Sequence, residues 1–514
     1  PDKYVDHIYG EKELGGTSVL YVSAVPFQQL GFPAYGEKPF PAFTAAALGA
    51  VPAAVIALGG LLGAAYALFN KRVHAVASAR AHEADAGHHA KFEPLRSPLW
   101  TPFTWLLVAL MAFCVVSMVA RFALGLGGST RLSDTYPWGL WIVLDLIWIA
   151  VAAGAFAMAG VIYVFQRKDL YSLGRIAVLM GLLSYSFVTV TLIADLGLPW
   201  NAYQLALQAP EHSAMFEVSW CVSLYVTILL LEFLPVPLEW LGFAKAMGVW
   251  RRWSGAYVAF AVTLFVYLLS RNLVYTALTA LVFGALAWVF RRRDEPIMLA
   301  IAAVTLSAMH QSSLGSLYLL MPNMLAPQWW SPVMPVSFFL SSIVAGTALV
   351  ILVDLWISKA WRRPLRMTPL ASVGQITFWS LLVYLAFRLG DMALRGQLAG
   401  AFGGRLGWAF ALEIGLGGIV PAVLLSRARF RARPGALFAG ALLAVLGVVY
   451  NRSNVVLFAM TFAGRMPWVA PQSYWPSVFE WGVSLGLIAA TIFLFGLGAR
   501  LFPVLPKPEA PDPH

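Results

Sequence analysis

The sequence predicts an all-α polytopic membrane bundle, and three observations carry the prediction. Hydrophobic residues make up 60% of the 514-residue chain against 11% charged, with a mean hydropathy of +0.75. That is more apolar surface than one soluble core absorbs. The apolar residues fall into runs of membrane length separated by short polar loops. Lysine and arginine concentrate in every second loop, so the net charge of +11 is a topology signal rather than a nucleic-acid footprint.

Taken in order, the N-terminal stretch 1–41 is polar, contains Pro and Gly, and has no basic-then-apolar signal layout, so it reads as an extra-membrane tail. Apolar runs follow at 42–69, 102–126, 138–165, 176–199, 215–240, 254–269, 273–290, 297–315, 333–357, 371–390, 405–425, 436–458 and 476–499. Most are long enough to cross roughly 30 Å of hydrocarbon as helix, giving about thirteen transmembrane helices. Ser270-Arg271-Asn272 interrupts the stretch 254–290. One continuous helix would place Arg271 at mid-membrane, whereas a tight hairpin of two short helices places it at an interface, at lower cost. The hairpin also brings Lys71-Arg72, Arg167-Lys168 with Arg175, Lys245 with Arg251-Arg252, Arg291 to Arg293, Lys359 to Arg366, Arg427 to Arg433 and Arg500 to a single side. By the positive-inside rule that side is cytoplasmic and the N-terminus is outside. Cys114 and Cys221 lie inside apolar runs without a C-x-x-C, which excludes a cysteine-ligated iron–sulfur cluster in this chain. His74, His82, His88 and His89 in the loop 71–99 lack a metal-ligand frame and read as a solvated linker.

Chemistry is sought where polarity survives in the apolar runs. His310 is the sole histidine that continues a membrane-length helix, and Gln311, Ser312, Ser313 and Gly315 follow it. This cluster suits a quinone headgroup, whose carbonyls need donors; a polar helix end is the plainer reading. Ten charged residues inside or bordering the runs are candidates: Asp145, Asp195, Glu217, Glu232, Asp354, Arg388, Asp391, Glu413, Arg452 and Glu480. Each costs roughly 2.5–3.5 kcal/mol at bilayer depth. Singly, each suits an ion pair or a snorkelling helix end; together they favour a hydrated pathway. Arg388 and Asp391, three apart, share a helix face and are expected to pair. Glu232 and Asp354, toward the cytoplasm, have no intramembrane basic partner in the sequence. We therefore expect a quinone site on the outer side at His310, Gln311, Ser313, Trp138 and Asp145. The remaining nine charged residues, Asp195 to Glu480, are the expected proton path.

The segments Tyr136-Pro137-Trp138-Gly139-Leu140-Trp141-Ile142-Val143-Leu144-Asp145, Phe216-Glu217 through Leu231-Glu232-Phe233, and Met309-His310-Gln311-Ser312-Ser313-Leu314-Gly315-Ser316-Leu317 resemble the NrfD/polysulfide-reductase membrane subunits. They are most similar to the HybB-type subunit of periplasmic nickel–iron hydrogenases. The likeness continues through Arg388-Leu389-Gly390-Asp391, Ala411-Leu412-Glu413, Arg452 and Tyr474-Trp475-Pro476 to Glu480, then to Leu501–Pro506, covering about residues 102–506. The resemblance implies a core of two four-helix bundles reacting with a quinone, menaquinone or ubiquinone, with no haem or metal in this chain. It implies electron exchange with a periplasmic ferredoxin-like iron–sulfur subunit attached to a catalytic oxidoreductase subunit, proton translocation as an accompaniment, and residence in the bacterial inner (cytoplasmic) membrane. Against the family's ten-helix pattern, 1–41 is an outer tail, 42–101 an extra helix and cytoplasmic loop, 254–290 an inserted hairpin in the domain 102–506, and 507–514 a cytoplasmic tail. Tyr4, Val5, Ile8, Tyr9, Tyr21 and Phe27 are the tail's expected anchors for an outer partner; membrane lipid is the other partner, and nucleic acid is not one.

Two further classes compete with this reading. A di-haem cytochrome b requires facing histidine pairs within helices, and His212, like all but His310, lies outside the runs. An ion or proton transporter without a redox role would use the same buried charges, but matched halves with Gly/Pro-broken helices are not evident.

Overall fold

The structure, a computed structural model, describes residues 3–79, 91–133, 136–207, 213–291, 296–322, 324–404, 406–461 and 474–507. Among them, thirteen helices are long and apolar enough to cross a membrane. These are α1 (Pro41–Arg72), α2 (Pro102–Ser129), α3 (Leu140–Val164), α4 (Lys168–Asp195), α5 (Ala214–Trp240), α6 (Ala244–Ser270), α7 (Leu273–Phe290), α8 (Ile297–Leu320), α9 (Met334–Ala360), α10 (Met367–Leu394), α11 (Gly407–Ser426), α12 (Pro434–Phe458) and α13 (Val478–Leu501). Successive spans alternate in direction, so the arginine-rich loops gather at one end, called the basic end below. Local chemistry sets the helix starts. Thr101 and Ser477 form capping boxes with Thr104 and Glu480, and the Ser213 and Asn272 side chains cap α5 and α7. The linker histidines His82, His88 and His89, together with His212 and the tail from 508, lie outside the described residues.

Helices α3, α4, α5 and α8 close one four-helix bundle, and α9, α10, α11 and α12 close a second. The bundles join where α9 packs along α3 and α8. Gly154 of α3 and Gly346 of α9 make that joint close: a Cβ on Gly154 would stand 1.8 Å from the Gly346 Cα. Backbones approach this way only through residues without side chains. Around the core, α13 lies along α2 and both touch α4, while α1, α6 and α7 cover α5 and α8. Consequently α3 and α8 are buried on most faces, whereas α2 and α7 present most of their apolar surface to lipid.

The interrupted stretch is a hairpin, with Arg271 at its turn in left-handed backbone (φ 48). It is longer than expected, because α6 begins at Ala244, ahead of the apolar run. Two short strands add to the helical architecture at the basic end. Phe92–Glu93 pairs antiparallel with Leu505–Pro506, fastening the lead into α2 to the chain after α13. Arg363 Nη2 locks the pair by donating to Glu93 Oε1 (3.1 Å) and the Pro506 carbonyl (2.5 Å).

Residues 3–40 are folded. Tyr9 and Tyr21 form a β-bridge, and the Tyr9, Phe27 and Phe32 rings pack with centroids 4.9–5.2 Å apart. Phe27 is thereby buried and Tyr9 half-buried inside the tail, so these two are not surface anchors as expected; Tyr4, Ile8 and Tyr21 are exposed.

Candidate functional site

The first bundle encloses His310. The sequence places it where hydrocarbon meets headgroups; in the structure α8 runs on past Leu317 and the following loop folds back over its end. Trp330 Nε1 donates to the Tyr318 carbonyl (3.2 Å), and the Ala326 amide donates to the Ala459 carbonyl (3.2 Å). The imidazole is fully buried and faces Tyr185 of α4 and Tyr225 of α5, at 6.0 and 5.8 Å between ring centroids. Those two phenol rings stack at 4.5 Å, and the Tyr225 hydroxyl donates to the Ala303 carbonyl at 3.3 Å. Among the described residues, neither His310 nitrogen nor the Gln311 amide has a hydrogen-bond partner. Glu217 of α5 faces Ser313 across the bundle, fully buried, and its carboxylate also has no partner there.

Asp145 occupies the second turn of α3 at the end away from the basic loops. It is buried beside Thr191 and Asp195 of α4, and neither of its oxygens is bonded among the described residues. Trp138 packs edge-on against Tyr318, with centroids 5.3 Å apart. Asp145 and Trp138 thus lie toward one end of the bundle, and His310 lies midway along its span among Tyr185 and Tyr225, each held through separate contacts. Sequence reasoning missed Arg121, a lone cation within the second apolar run. Its Nε and Nη2 donate to the Ala194 and Leu196 carbonyls (both 2.6 Å), closing the C-terminus of α4 beside Asp195.

The second bundle holds a different arrangement. Glu413 accepts from Trp329 Nε1 (2.7 Å), Asn451 Nδ2 (2.8 Å) and Asn454 Nδ2 (2.8 Å), and pairs with Arg388 Nη2 at 2.7 Å. Arg388 Nη1 donates to the Tyr384 hydroxyl (2.8 Å). Arg452 donates to Asn451 Oδ1 (2.7 Å) and Ser341 Oγ (2.8 Å), with its guanidinium 3.8 Å from the Phe338 ring centroid. The expected Arg388–Asp391 pair does not form. Asp391 instead pairs with Arg395 (2.8 Å), one turn further along the chain, because Arg388 turns inward to Glu413. Asn451 and Asn454, three apart on α12, share a helix face and both reach the carboxylate; a π-helical turn starts at Asn454.

Three remaining acids have distinct settings. Glu480 is a capping residue that accepts from the Ser477 and Arg131 amides (2.8 and 3.0 Å) and from the Tyr474 hydroxyl. Asp354 has a partner that the apolar runs do not reveal: Arg366 reaches back from the start of α10 to its Oδ1 at 2.8 Å. Glu232 is buried at the basic end with neither oxygen bonded among the described residues, and it lines a cavity of about 100 Å³ with Tyr163, Tyr171 and Arg175. Asp354→Asn is expected to lower stability by roughly 1.5–3 kcal/mol, the range for a hydrogen bond to a charged group, read from thermal unfolding in detergent. Wild-type stability in that variant would show that the pair carries no structural load.

The profile of the family described as Polysulphide reductase, NrfD matches residues 128–464. A protein of Nitratidesulfovibrio vulgaris (strain Hildenborough) is 31% identical over 429 residues, spanning 81% of this chain and 98% of its own. The probable Ni/Fe-hydrogenase 2 b-type cytochrome subunit of Escherichia coli (strain K12) is 28% identical over 429 residues, 82% of this chain and 96% of its own. The menaquinone reductase integral membrane subunit of Nitratidesulfovibrio vulgaris is 27% identical over 434 residues, 80% and 92% respectively. The matched stretch contains both bundles and their buried polar groups from Asp145 to Arg452, while Arg121 and Glu480 lie outside it, and with this match the chain belongs to the NrfD polysulphide reductase family.

Proposed function

We propose that this chain is the quinone-reactive membrane subunit of a respiratory oxidoreductase in the bacterial inner membrane, with the basic end cytoplasmic. The observation that carries the reading is a set of buried acid–base groups, Asp145, Glu217 and His310, unpartnered among the described residues inside one four-helix bundle. Unpaired polar burial is costly, and the Arg388–Glu413 pair illustrates how this chain satisfies a charge that needs only a structural partner. Moving protons gives the unpaired groups a task.

A quinone, menaquinone or ubiquinone, takes up two electrons and two protons on reduction and returns them on oxidation. Gln311, Ser313 and His310 would supply its donors, Trp138 with Tyr318 an aromatic wall, and Asp145 a proton acceptor near the outer end. The menaquinone reductase and hydrogenase names among the relatives support a quinone and an electron-transfer partner. That partner is a ferredoxin-like iron–sulfur subunit bound to a catalytic subunit on the outer face, where Tyr4, Ile8 and Tyr21 of the folded tail are exposed. A bis-histidine haem, which the b-type cytochrome name raises, does not fit these residues. His310 is the sole histidine in the thirteen spans, and it packs against two tyrosines.

For protons we read a route through the first bundle from Glu232, past Tyr225 and Tyr185, to His310. Tyr225 lies seven residues before Glu232 on the same face of α5 and stacks on Tyr185. Asp354 is left out of this route because Arg366 accounts for it. His310→Ala in the assembled complex is expected to lower quinone-linked turnover by about 10²-fold, the low end for a lost acid–base group, with assembly intact by size-exclusion chromatography. Unchanged turnover in an assembled variant would falsify the site. Glu232→Gln in sealed vesicles is expected to abolish proton uptake from the cytoplasmic side; normal uptake there removes the route.

A further inference from the structure

At the basic end, outside both bundles, a groove of about 650 Å³ opens between α2, α9 and α13, a size that suits a small-molecule group. One part of its lining is basic. Arg362 follows α9 with its side chain exposed, in left-handed backbone (φ 51) that a non-glycine residue adopts under strain. Arg500 of α13 lies deeper, spreading its guanidinium over the Ser97 and Gly496 carbonyls (3.0 and 2.7 Å) with the Trp361 ring 5.7 Å away. The N-terminus of α2, capped by Thr101, adds the positive end of a 28-residue helix. Among the described residues, no carboxylate lines the groove. The nearby acids are taken: Glu93 pairs with Arg363 and Asp354 with Arg366. The other part is apolar, with Phe103 and Leu107 of α2 facing Ile492 and Phe493 of α13. Beyond it, α2 exposes Leu106, Val115 and Val119 to the lipid side.

We infer that this groove holds the headgroup of an anionic diacyl phospholipid, with its acyl chains lying along α2 and α13. Two features together select this occupant. The uncompensated positive charge at a membrane-interface depth selects an anion, and the apolar wall continuing along two lipid-facing helices selects a molecule with hydrocarbon tails. A soluble anion uses only the first feature and a quinone tail only the second. Bound there, the lipid would brace α2 and α13, which pack on the core through α4.

The test uses the full chain in nanodiscs of phosphatidylcholine containing a minority of phosphatidylglycerol with a diazirine in one acyl chain. Photolabelling is expected in the peptides carrying Phe103, Leu107, Ile492 or Phe493. Unlabelled phosphatidylglycerol should compete, whereas added phosphatidylcholine, inorganic phosphate and a short-chain quinone should not. Arg362→Glu is expected to weaken labelling by at least about fivefold, the effect of one basic residue near an anionic surface. Arg362 has no bonded partner among the described residues, so this variant leaves the fold alone. Equal competition by phosphatidylcholine, displacement by phosphate or by quinone, or wild-type labelling in Arg362→Glu each overturns the assignment.

Discussion

Glu413→Ala is expected to cost the second bundle about 3–5 kcal/mol, the range for removing one member of a buried ion pair. The carboxylate gathers four donors from three elements: Arg388 on α10, Asn451 and Asn454 on α12, and Trp329 in the loop before α9. Its loss strands a guanidinium that is nine-tenths buried. The measurement is thermal unfolding of the purified protein in detergent, followed by loss of the monodisperse peak. Replacing both partners, as in Arg388→Met with Glu413→Leu, removes the charge as well as the partner. This double variant should be more stable than Glu413→Ala alone, because desolvation of an unpaired charge is the dominant cost. If Glu413→Ala unfolds at the wild-type temperature, the pair is not a structural element of the second bundle.

Gly346→Leu is the second large effect. Its side chain would enter the space of Gly154, where a Cβ alone stands 1.8 Å from backbone that cannot swing aside as a side-chain tip does. The helices must separate, and with them the two bundles, since α3 against α9 is a principal contact between them. Overpacking costs about 1–3 kcal/mol where neighbours can adjust, and here the neighbour is a helix backbone. The expected outcome is failure to recover folded protein from membranes. Gly346→Ala should give a milder loss in the same direction. Full recovery of Gly346→Leu would mean that the bundles are not held at this crossing.

The polar clusters are partly legible in the sequence. The His310 segment and the ten intramembrane charges stand out because hydrocarbon makes each one expensive. Their pairing is not legible. Arg388 and Asp391 look like partners at helical spacing, but Glu413 lies on a different helix and competes successfully for the guanidinium. Asp354 looks unpaired because Arg366 sits beyond the apolar run, within reach only once the chain turns from α9 into α10. Arg121 escapes a search for carboxylates and paired charges, although a lone arginine in an apolar run is the signal that could have found it.

By itself the sequence determined the solvent, the number of spans and the gathering of the basic loops at one end, because each follows from hydropathy and charge read along the chain. The family likeness was legible in the same way, through contiguous motifs. Only the tertiary structure decided that Gly154 meets Gly346, that the loop after α8 folds back onto the end of that helix at Tyr318, and which acids keep a partner among the described residues and which do not. Those outcomes depend on side chains far apart in the chain meeting across helices, where packing and the desolvation of each charge are settled together.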